Sequence, residues 1–242
     1  MEAIRIENLT KEYKDVIAVD NLSLTVNKGE LLSLLGVNGA GKTTVIKMLS
    51  CLTQPTSGDA FLNNNSICKA PASVKSIIAV SPQETAVAPG LTTLENLEFI
   101  CGVHGFSKDK TKQKITELSK LLGLKSVMKR KAGKLSGGWQ RRLSIAMALI
   151  SEPQILFLDE PTLGLDVIVR SDLWDLIRSL KGKITIILTT HYMEEAEALS
   201  DRIAIMKEGR LLVCDTAENI KNTAQSDSFE QAFVRIVKGV SQ

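Results

Sequence analysis

Short apolar runs alternate with amphipathic stretches along most of the chain. Residues 4–9 and 22–26 alternate with a period of two, which predicts half-buried strands. Continuous apolar runs that predict buried strands lie at 31–35, 61–62, 77–80, 155–158, 184–190 and 203–206. Apolar positions at helical spacing lie at 42–52, 168–180 and 193–199. Strands that alternate with helices in this way predict an α/β fold with a parallel sheet.

The middle of the chain has a different pattern. Residues 93–150 are mainly helical in character, with Ile115, Leu118 and Leu122 at helical spacing. This stretch interrupts the strand–helix alternation and therefore looks like an insertion. We predict one domain, in which residues 1–86 and 151–215 form the core and 87–150 a helical subdomain. Residues 216–242 are expected to form a peripheral helical tail.

Charge also sets the middle apart. The whole chain has a net charge of +3, but residues 105–142 contain twelve Lys or Arg and two Asp or Glu, so they carry +10 and leave −7 for the remainder. A basic segment of this kind is either a solvated helical surface or a surface attracted to anionic lipid headgroups. The first interpretation is the simpler one, and both stay open.

The first chemical motif lies between the predicted strand 31–35 and helix 42–52. The run Gly36–Thr44 fits the P-loop pattern G-x-x-x-x-G-K-[ST] in the strand-to-helix context that this motif requires. Its glycines let backbone N–H groups surround a phosphate, and the helix N-terminus adds a positive end. Lys42 can reach the β- and γ-phosphates, and Thr43 can hold Mg²⁺. The predicted nucleotide contacts are Gly36, Asn38, Gly39, Ala40, Gly41, Lys42, Thr43 and Thr44.

The second motif ends a predicted buried strand with two carboxylates. Asp159 and Glu160 directly follow the apolar run 155–158. Ligands of open α/β sheets bind at the carboxyl edge of the strands, where these side chains would lie. Asp159 therefore suits a direct or water-mediated Mg²⁺ contact beside Thr43. Glu160 is placed to activate an attacking water.

The third motif identifies a family. Leu135–Arg142 (LSGGWQRR) opens a predicted helix and resembles the signature sequence of ABC (ATP-binding cassette) proteins. Ser136 can cap this helix, and Gly137 and Gly138 allow backbone amides to approach an anion. The resemblance covers about residues 2–215 and implies a P-loop NTPase (RecA-like) core with a parallel sheet at its centre. It also implies N-terminal antiparallel strands and an inserted α-helical subdomain.

Four further positions match the family residue by residue. Tyr13 resembles the aromatic residue that stacks on adenine. Gln83 resembles the Q-loop glutamine, which contacts Mg²⁺ or water and links to the helical insertion. Asp166 resembles the D-loop aspartate at the dimer seam, and His191 resembles the switch histidine that contacts the γ-phosphate. The resemblance thus implies that Glu160, His191, Lys42 and Gln83 are catalytic, and that Thr43, Gln83 and Asp159 bind the metal.

The same resemblance predicts the assembly. In this family the signature of one subunit completes the nucleotide site of another, so a homodimer or heterodimer with two ATP molecules and Mg²⁺ at its interface is expected. A separate membrane-spanning subunit is the expected transport partner, and no nucleic-acid partner is expected. Residues 139–142, 161–166 and 191–197 are similar to the bacterial antibiotic and multidrug export branch. Export of a drug, an antibiotic or a lipid-like molecule is therefore the expected role.

Two residues depart from the family pattern. Trp139 stands where Gln or Met is frequent, and Met147 stands where many members have Arg, so the helix packing behind the signature is expected to differ.

Two other functions fit the sequence less well. An ABC ATPase acting on ribosomes or nucleic acid usually has two cassettes or a long coiled coil, which this sequence lacks. A phosphate-binding module without turnover would not need both Glu160 and His191.

Composition limits the location. Hydrophobic residues make up 44% and charged residues 24% of the chain, which is ordinary for a globular protein. No apolar run reaches the ~18 residues that a membrane helix needs, and the N-terminus does not fit a signal peptide. Four widely spaced cysteines and two histidines give no pattern for disulfides or zinc. We therefore expect a cytoplasmic protein, peripheral on the cytoplasmic face of the membrane through its partner, with reduced thiols.

Overall fold

A computed structural model describes residues 1–239 of the chain. Its elements agree with the predicted fold class, an α/β core with antiparallel strands at the N-terminus and helices inserted between β6 and β7. The strands are β1 Glu2–Tyr13, β2 Val16–Asn27, β3 Leu31–Leu35, β4 Ser57–Leu62, β5 Asn65–Ser66, β6 Ile78–Ser81, β7 Ile155–Asp159, β8 Thr185–Thr190, β9 Arg202–Lys207 and β10 Arg210–Asp215. The helices are α1 Lys42–Leu49, α2 Pro71–Ile77, α3 Thr93–Val103, α4 Lys108–Leu121, α5 Gly137–Leu149, α6 Val167–Leu180, α7 Met193–Leu199, α8 Ala217–Thr223 and α9 Phe229–Lys238.

The central sheet has six strands in the order β10-β9-β3-β8-β7-β6. The five strands from β9 to β6 run parallel, and β10 pairs antiparallel with β9 at one edge. Strands β3, β7 and β8 are buried along their whole length, because helices or a second sheet cover both faces. Their continuous apolar sequences follow from this double burial.

A second sheet is antiparallel, with the strand order β2-β1-β4-β5. Side chains of this sheet, of α1 and of one face of the central sheet share an apolar core that includes Ile4, Leu22, Val45 and Phe157. The opposite face of the central sheet shares a second core with α3, α4, α5 and α6. The helical insertion is therefore packed directly onto the sheet that carries the nucleotide-binding motifs.

Some boundaries differ from the sequence prediction. Helix α1 ends at Leu49 and not at residue 52, because Cys51 takes a left-handed backbone conformation with φ 55°. The strand β10 and the helix α2 were not predicted. The tail forms α8 and α9, and α9 packs through Phe229 and Phe233 against α7 and β9; residues 240–242 of the predicted tail lie outside the described residues. From residue 1 to 239, no helix combines the length and apolarity needed to cross a bilayer.

Candidate functional site

The predicted motifs meet because four adjacent parallel strands end at one edge of the central sheet. The register pairs Leu35 with Thr190, Asp159 with Thr189, and Ser81 with Leu158, so the four strands stop at nearly the same height. The segments that follow β3, β8, β7 and β6 carry the P-loop, His191, Glu160 and Gln83 respectively. This convergence is the expected consequence of a parallel sheet.

A cavity of about 740 Å³ lies at this edge. Eleven of the predicted site residues line it: Tyr13, Asn38, Gly39, Ala40, Gly41, Lys42, Thr43, Thr44, Gln83, Glu160 and His191. Gly36 and Asp159 are buried beside these residues. Ser136, Gly137, Gly138 and Asp166 lie elsewhere, at the N-terminal ends of α5 and α6. The chain therefore carries two separate groups of predicted site residues.

Close backbone contacts fix the shape of the P-loop. A Cβ atom on Gly36 would lie 2.4 Å from the carbonyl oxygen of Met206. Gly41 has φ 97°, and a Cβ there would lie 2.3 Å from the carbonyl oxygen of Ala18. Both positions therefore exclude any side chain, and the loop is held against β9 and β2.

Lys42 lies under the loop that precedes it. Its Nζ donates hydrogen bonds to the carbonyl oxygens of Gly36 at 2.7 Å and Val37 at 3.2 Å. Burial lowers the pKa of Lys42, while the charges of Glu160 and Asp159 oppose that shift. The Nζ is also 3.8 Å from Oε1 of Glu160. A buried ammonium at the start of α1 is well placed to meet a phosphate group.

Three oxygen groups meet beside the cavity. The hydroxyls of Thr43 and Thr189 both donate to Oδ1 of Asp159, the first at 3.2 Å. Mg²⁺ prefers oxygen ligands and commonly binds through one or two protein groups together with water and phosphate oxygens. Within the described residues, no three His, Cys, Asp or Glu side chains form a metal cluster. The Thr43–Asp159 pair thus fits a metal that arrives with a nucleotide.

Glu160 is held in an uncommon conformation. Its φ is 46°, in the left-handed region that non-glycine residues seldom occupy. Its backbone N–H donates to the carbonyl oxygen of Thr189 at 3.1 Å and to the hydroxyl of the same residue at 3.0 Å. These bonds to β8 fix the backbone, so the carboxylate is aimed between Lys42 and His191.

His191 also lines the cavity, beside Glu160. Its Nδ1 lies 3.2 Å from Oε2 of Glu160, although this contact lacks good hydrogen-bond geometry. The ring lies 4.2 Å from that of Tyr192, whose other neighbour is the guanidinium of Arg170 at 4.4 Å. The ring of Tyr192 therefore packs against the imidazole of His191, which remains half-buried at the cavity surface.

Tyr13 and Gln83 lie at the rim. Tyr13 is exposed, and the Nζ of Lys11 lies 5.0 Å from its ring centroid. An exposed ring at a cavity mouth can stack on a base. Gln83 is also exposed. Its side chain can therefore reach a bound ligand from the edge formed by β6.

The signature group is arranged differently from the prediction in one respect. Ser136 occupies the N-cap position of α5, but its side chain makes no capping hydrogen bond. Its carbonyl oxygen accepts from the N–H of Gln140 at 3.0 Å, and its hydroxyl is left for another partner. The side chain of Asp166 does cap α6, accepting from the N–H of Val169 at 3.0 Å.

Gly138 has a packing role that the motif alone does not indicate. A Cβ atom on this residue would lie 2.3 Å from Cγ1 of Val169. Valine is stiff about χ1, so Val169 could not easily move away from an added side chain. A residue larger than glycine at position 138 would therefore prevent the present close approach of the N-termini of α5 and α6. Trp139 and Met147, the two departures from the family pattern, pack against the core shared with the central sheet.

Three residues with roles around the site were not predicted. Thr189 binds both Asp159 and the backbone of Glu160. Arg141 joins α5 to the segment that follows β6. Glu195, four residues after His191, is fully buried. Arg141 and Glu195 share one sequence signal, a charged residue at a position where the helical period requires burial.

Glu195 is enclosed by polar groups from several elements. Its Oε1 accepts from Nε1 of Trp174 at 3.1 Å. Burial raises the pKa of Glu195, while contacts with Thr190, Thr162 and Trp174 and the charge of Arg170 oppose that shift. The second carboxylate oxygen has no hydrogen bond of good geometry. This group is therefore costly to keep ionised.

The chain is similar to known proteins over most of its length. A profile of the family described as "ABC transporter" matches residues 19–163. The doxorubicin resistance ATP-binding protein DrrA of Mycobacterium tuberculosis (strain ATCC 25618 / H37Rv) is 39% identical over 98% of this chain and 72% of its own length. The daunorubicin resistance ATP-binding protein DrrA2 of Streptomyces coeruleorubidus is 38% identical over 99% of this chain and 77% of its own.

A solved structure extends the similarity. It is the dimeric post-hydrolysis state of the ATP-binding cassette MJ0796 bound to ADP and Pi. The TM-score is 0.79 at 28% identity, covering 88% of this chain and 98% of that chain. The described fold is therefore that of a known nucleotide-hydrolysing architecture.

Proposed function

The chain belongs to the ABC transporter family, and we propose that it powers export of a drug, an antibiotic or a lipid-like molecule through a separate membrane-spanning partner. It is an ATP-binding subunit and an ATPase of that family. The hydrolysis that powers export is supported by the carboxylate of Glu160, fixed between Lys42 and His191 at a cavity lined by a P-loop. Export itself is supported by the similarity to the two drug resistance ATP-binding proteins.

Hydrolysis follows from the roles of three side chains. P-loop amides and Lys42 hold the β- and γ-phosphates in position. Glu160 accepts a proton from the water that attacks the γ-phosphorus, and His191 contacts the γ-phosphate. Chemistry of this type depends mostly on positioning and charge stabilisation. The fixed backbone of Glu160 serves that need, because the base does not have to be reoriented.

Thr43 and Asp159 are the residues that would hold Mg²⁺, with Gln83 reaching it from the rim. When bound, the ion neutralises charge on the β- and γ-phosphates. The 3.2 Å hydrogen bond between Thr43 and Asp159 keeps these oxygens together. Tyr13 stacks on the base at the cavity mouth.

A dimer completes the site. Ser136 and Gly137 are exposed, and so is Asp166 at the start of α6. The next two residues, Val167 and Ile168, are 78% and 76% exposed, which is unusual for large apolar side chains. We propose that this surface meets a second ATP-binding subunit, which is the same chain or a related one. The surface then contacts the γ-phosphate of the ATP bound to that subunit. ATP then closes the dimer, and hydrolysis releases it.

The variant Glu160→Gln tests the dimer. It keeps the shape of the site but cannot accept the proton, so we expect ATP binding with turnover reduced by about a thousandfold and a dimer in size-exclusion chromatography with ATP. The matched control is Lys42→Ala/Glu160→Gln, which should remain monomeric because it lacks the phosphate contact. An ATP-loaded Glu160→Gln protein that stays monomeric contradicts the dimer.

Helix α3 offers a docking surface for the membrane-spanning subunit. Phe99 and Val103 are 61% and 67% exposed, and their i,i+4 spacing places them on one helix face. Helix α3 begins only ten residues after Gln83. A short segment of chain therefore joins this surface to a residue that lines the nucleotide cavity. We propose that this contact keeps the chain on the cytoplasmic face of the membrane.

Affinity purification of the tagged chain from detergent-solubilised native membranes tests the partner. A stoichiometric protein with about six membrane-spanning helices is the expected companion. Phe99→Ser/Val103→Ser should lose it and keep basal ATP hydrolysis, whereas Leu212→Ser, an exposed apolar residue of β10, should retain it. Recovery of ribosomal or nucleic-acid proteins alone would favour the alternative, an ABC ATPase that acts on those substrates without transport.

The basic segment 105–142 has less free charge than its sequence suggests. Lys114 is buried and forms ion pairs with Glu117 at 3.2 Å and Glu152 at 2.9 Å. Arg141 is buried as well. The remaining basic residues still allow attraction to anionic lipid, and binding of the purified chain to anionic liposomes at low and high salt tests it.

A further inference from the structure

Arg141 of helix α5 binds the backbone of the segment that carries Gln83. The guanidinium of Arg141 donates two hydrogen bonds, from one terminal nitrogen to the carbonyl oxygen of Pro82 and from the other to that of Gln83, each at 2.6 Å. Arg141 is only 5% exposed. Charge-assisted bonds from a buried, planar guanidinium fix both distance and orientation. The backbone of Gln83 is therefore held by a side chain from a helix distant in sequence.

A second contact from the same helix supports this attachment. The hydroxyls of Ser144 and Ser81 share a hydrogen bond of 2.9 Å. Arg141 and Ser144 are three residues apart, so they lie on one face of α5. Together they bind three consecutive residues, from the last residue of β6 to Gln83.

The opposite end of this connection is attached to other residues. Pro89 accepts a hydrogen bond from the N–H of Gly133, and Ala88 exchanges two with the side chain of Asn96. Residues 84–87 lie between the two attachments. The backbone at Gln83 is thus attached to α5 through two short bonds, while the later part of the loop is attached to α3 and to the segment that precedes α5.

The N-terminus of α5 carries the exposed signature. Gly137 and Arg141 are four residues apart, which corresponds to about 6 Å along a helix axis. A helix is rigid over that length, so a displacement of the signature moves the guanidinium as well. Helix α5 thus carries both the surface proposed to meet a second subunit and the arginine that binds the backbone of Gln83.

The surroundings of Arg141 explain why this position needs an arginine. Burial lowers the pKa of Arg141, and the nearby carboxylates of Asp159 and Glu195 oppose that shift. Asp159 ends β7, and Glu195 lies on α7, the helix that follows His191. A lysine would keep the charge but could not bind two carbonyl oxygens with the same fixed fork.

We propose that Arg141 is a positioning residue that transmits displacement of this chain's signature to Gln83 in its own nucleotide cavity. In a dimer, the signature contacts the nucleotide of the opposite subunit. Arg141 therefore lets each nucleotide site respond to occupancy of the other. This inference rests on the proposed dimer and on the proposed role of Gln83.

Hydrogen exchange of the backbone amides in residues 82–92 measures the transmission. In full-length Glu160→Gln protein, addition of ATP is expected to form the dimer and to slow exchange in this segment. With Arg141→Met added, the dimer should still form, but the slowing should fall to less than about a third, because the helix no longer holds Pro82 and Gln83. Arg141→Lys should give an intermediate response and serves if the methionine variant folds poorly.

Arg142→Met is the matched control. Arg142 is the next residue of the same helix and contacts Leu122 and Asp172 instead, so its replacement should leave the ATP-dependent protection unchanged. Turnover gives a second readout in proteins with Glu160 intact. Arg141→Met should lower kcat about tenfold with little change in KM, and Arg141→Met/Gln83→Ala should be no slower than Gln83→Ala alone.

The outcomes separate this inference from the dimer itself. If Glu160→Gln stays monomeric with ATP, the proposed dimer is wrong. If the dimer forms and residues 82–92 become equally protected with Arg141→Met and Arg141→Lys, Arg141 does not transmit the displacement. Additive losses of turnover in the double variant would also contradict the inference.

Discussion

The P-loop half and the signature half of the site are built in opposite ways. Around the P-loop, Lys42, Asp159 and Glu160 are buried and bound to their own chain. At the signature, Ser136 and Gly137 are exposed, and the hydroxyl of Ser136 makes no capping bond. One half is organised before a ligand arrives, and the other presents free groups to a partner.

This difference shows which interactions can be completed within one subunit. Buried polar groups need partners in the same fold, because an unpaired group away from water is costly. Exposed groups at a helix N-terminus can wait for a ligand at little cost, since water satisfies them. Substitutions in the first half should therefore affect nucleotide chemistry, and those in the second should affect assembly and packing.

The largest effect is expected from Lys42→Ala. Loss of the ammonium removes the main charge that meets the phosphates, so turnover should fall by about a thousandfold or more. ATP hydrolysis and nucleotide binding measured on the same preparation provide the test. Lys47→Ala, an exposed lysine on the same helix, should behave like the wild-type protein. Unchanged turnover with Lys42→Ala would mean that the buried half is not the phosphate site.

A moderate effect is expected from Gly138→Ala, which probes the signature half. The added methyl group meets Val169, so the free energy of unfolding should fall by about 1–3 kcal/mol. Urea unfolding measures this loss, and Val169→Ala in the same chain should recover most of it. ATP binding to the monomeric protein should be unaffected. A loss of stability that Val169→Ala does not relieve would contradict the packing role of Gly138.

The smallest effect is expected from Glu195→Gln, behind the buried half. Burial raises the pKa of Glu195 in the folded state, so the folded protein binds more protons than the unfolded chain between the two pKa values. Stability from this group is therefore greatest at low pH and declines as pH rises through the folded pKa. Near pH 8 the glutamine variant should be more stable by about 1 kcal/mol.

That gain should shrink toward zero as the pH falls below the ordinary titration range of glutamate, where Glu195 is protonated in both states. Thermal unfolding across this pH range is the measurement. Glu194→Gln on the same helix is exposed and should show no such trend. A gain that is constant with pH would mean that the ionised form of Glu195 is not the source of the cost.

The sequence predicts the buried half more completely than the exposed one. Contiguous segments such as residues 31–44 and 155–160 contain both the strand and the predicted ligand-binding groups, so local pattern is sufficient there. The parallel sheet then brings the separate motifs to one edge. The roles of Thr189 and Arg141 depend on contacts with residues about 30 and 59 positions away, and no local pattern indicates such partners.

Local signals also failed where tertiary contacts or backbone geometry decide. Ser136 has the residue type and position of a helix cap, but its side chain makes no capping bond. The strand β10 has a mixed polar and apolar sequence that is typical of an exposed edge, and it forms only by pairing with β9. The early end of α1 depends on one left-handed residue, Cys51. The subdomain boundaries stay a prediction.

Because Glu160 has a left-handed backbone, thermal stability and the proposed catalytic role favour different residues at position 160. Glycine or asparagine would adopt a φ of 46° more readily than glutamate, by about 1 kcal/mol. A library of this gene screened only for survival of folding at high temperature should therefore accumulate those residues at position 160 and lose turnover. Selection for transport is expected to keep glutamate at this position despite the backbone strain.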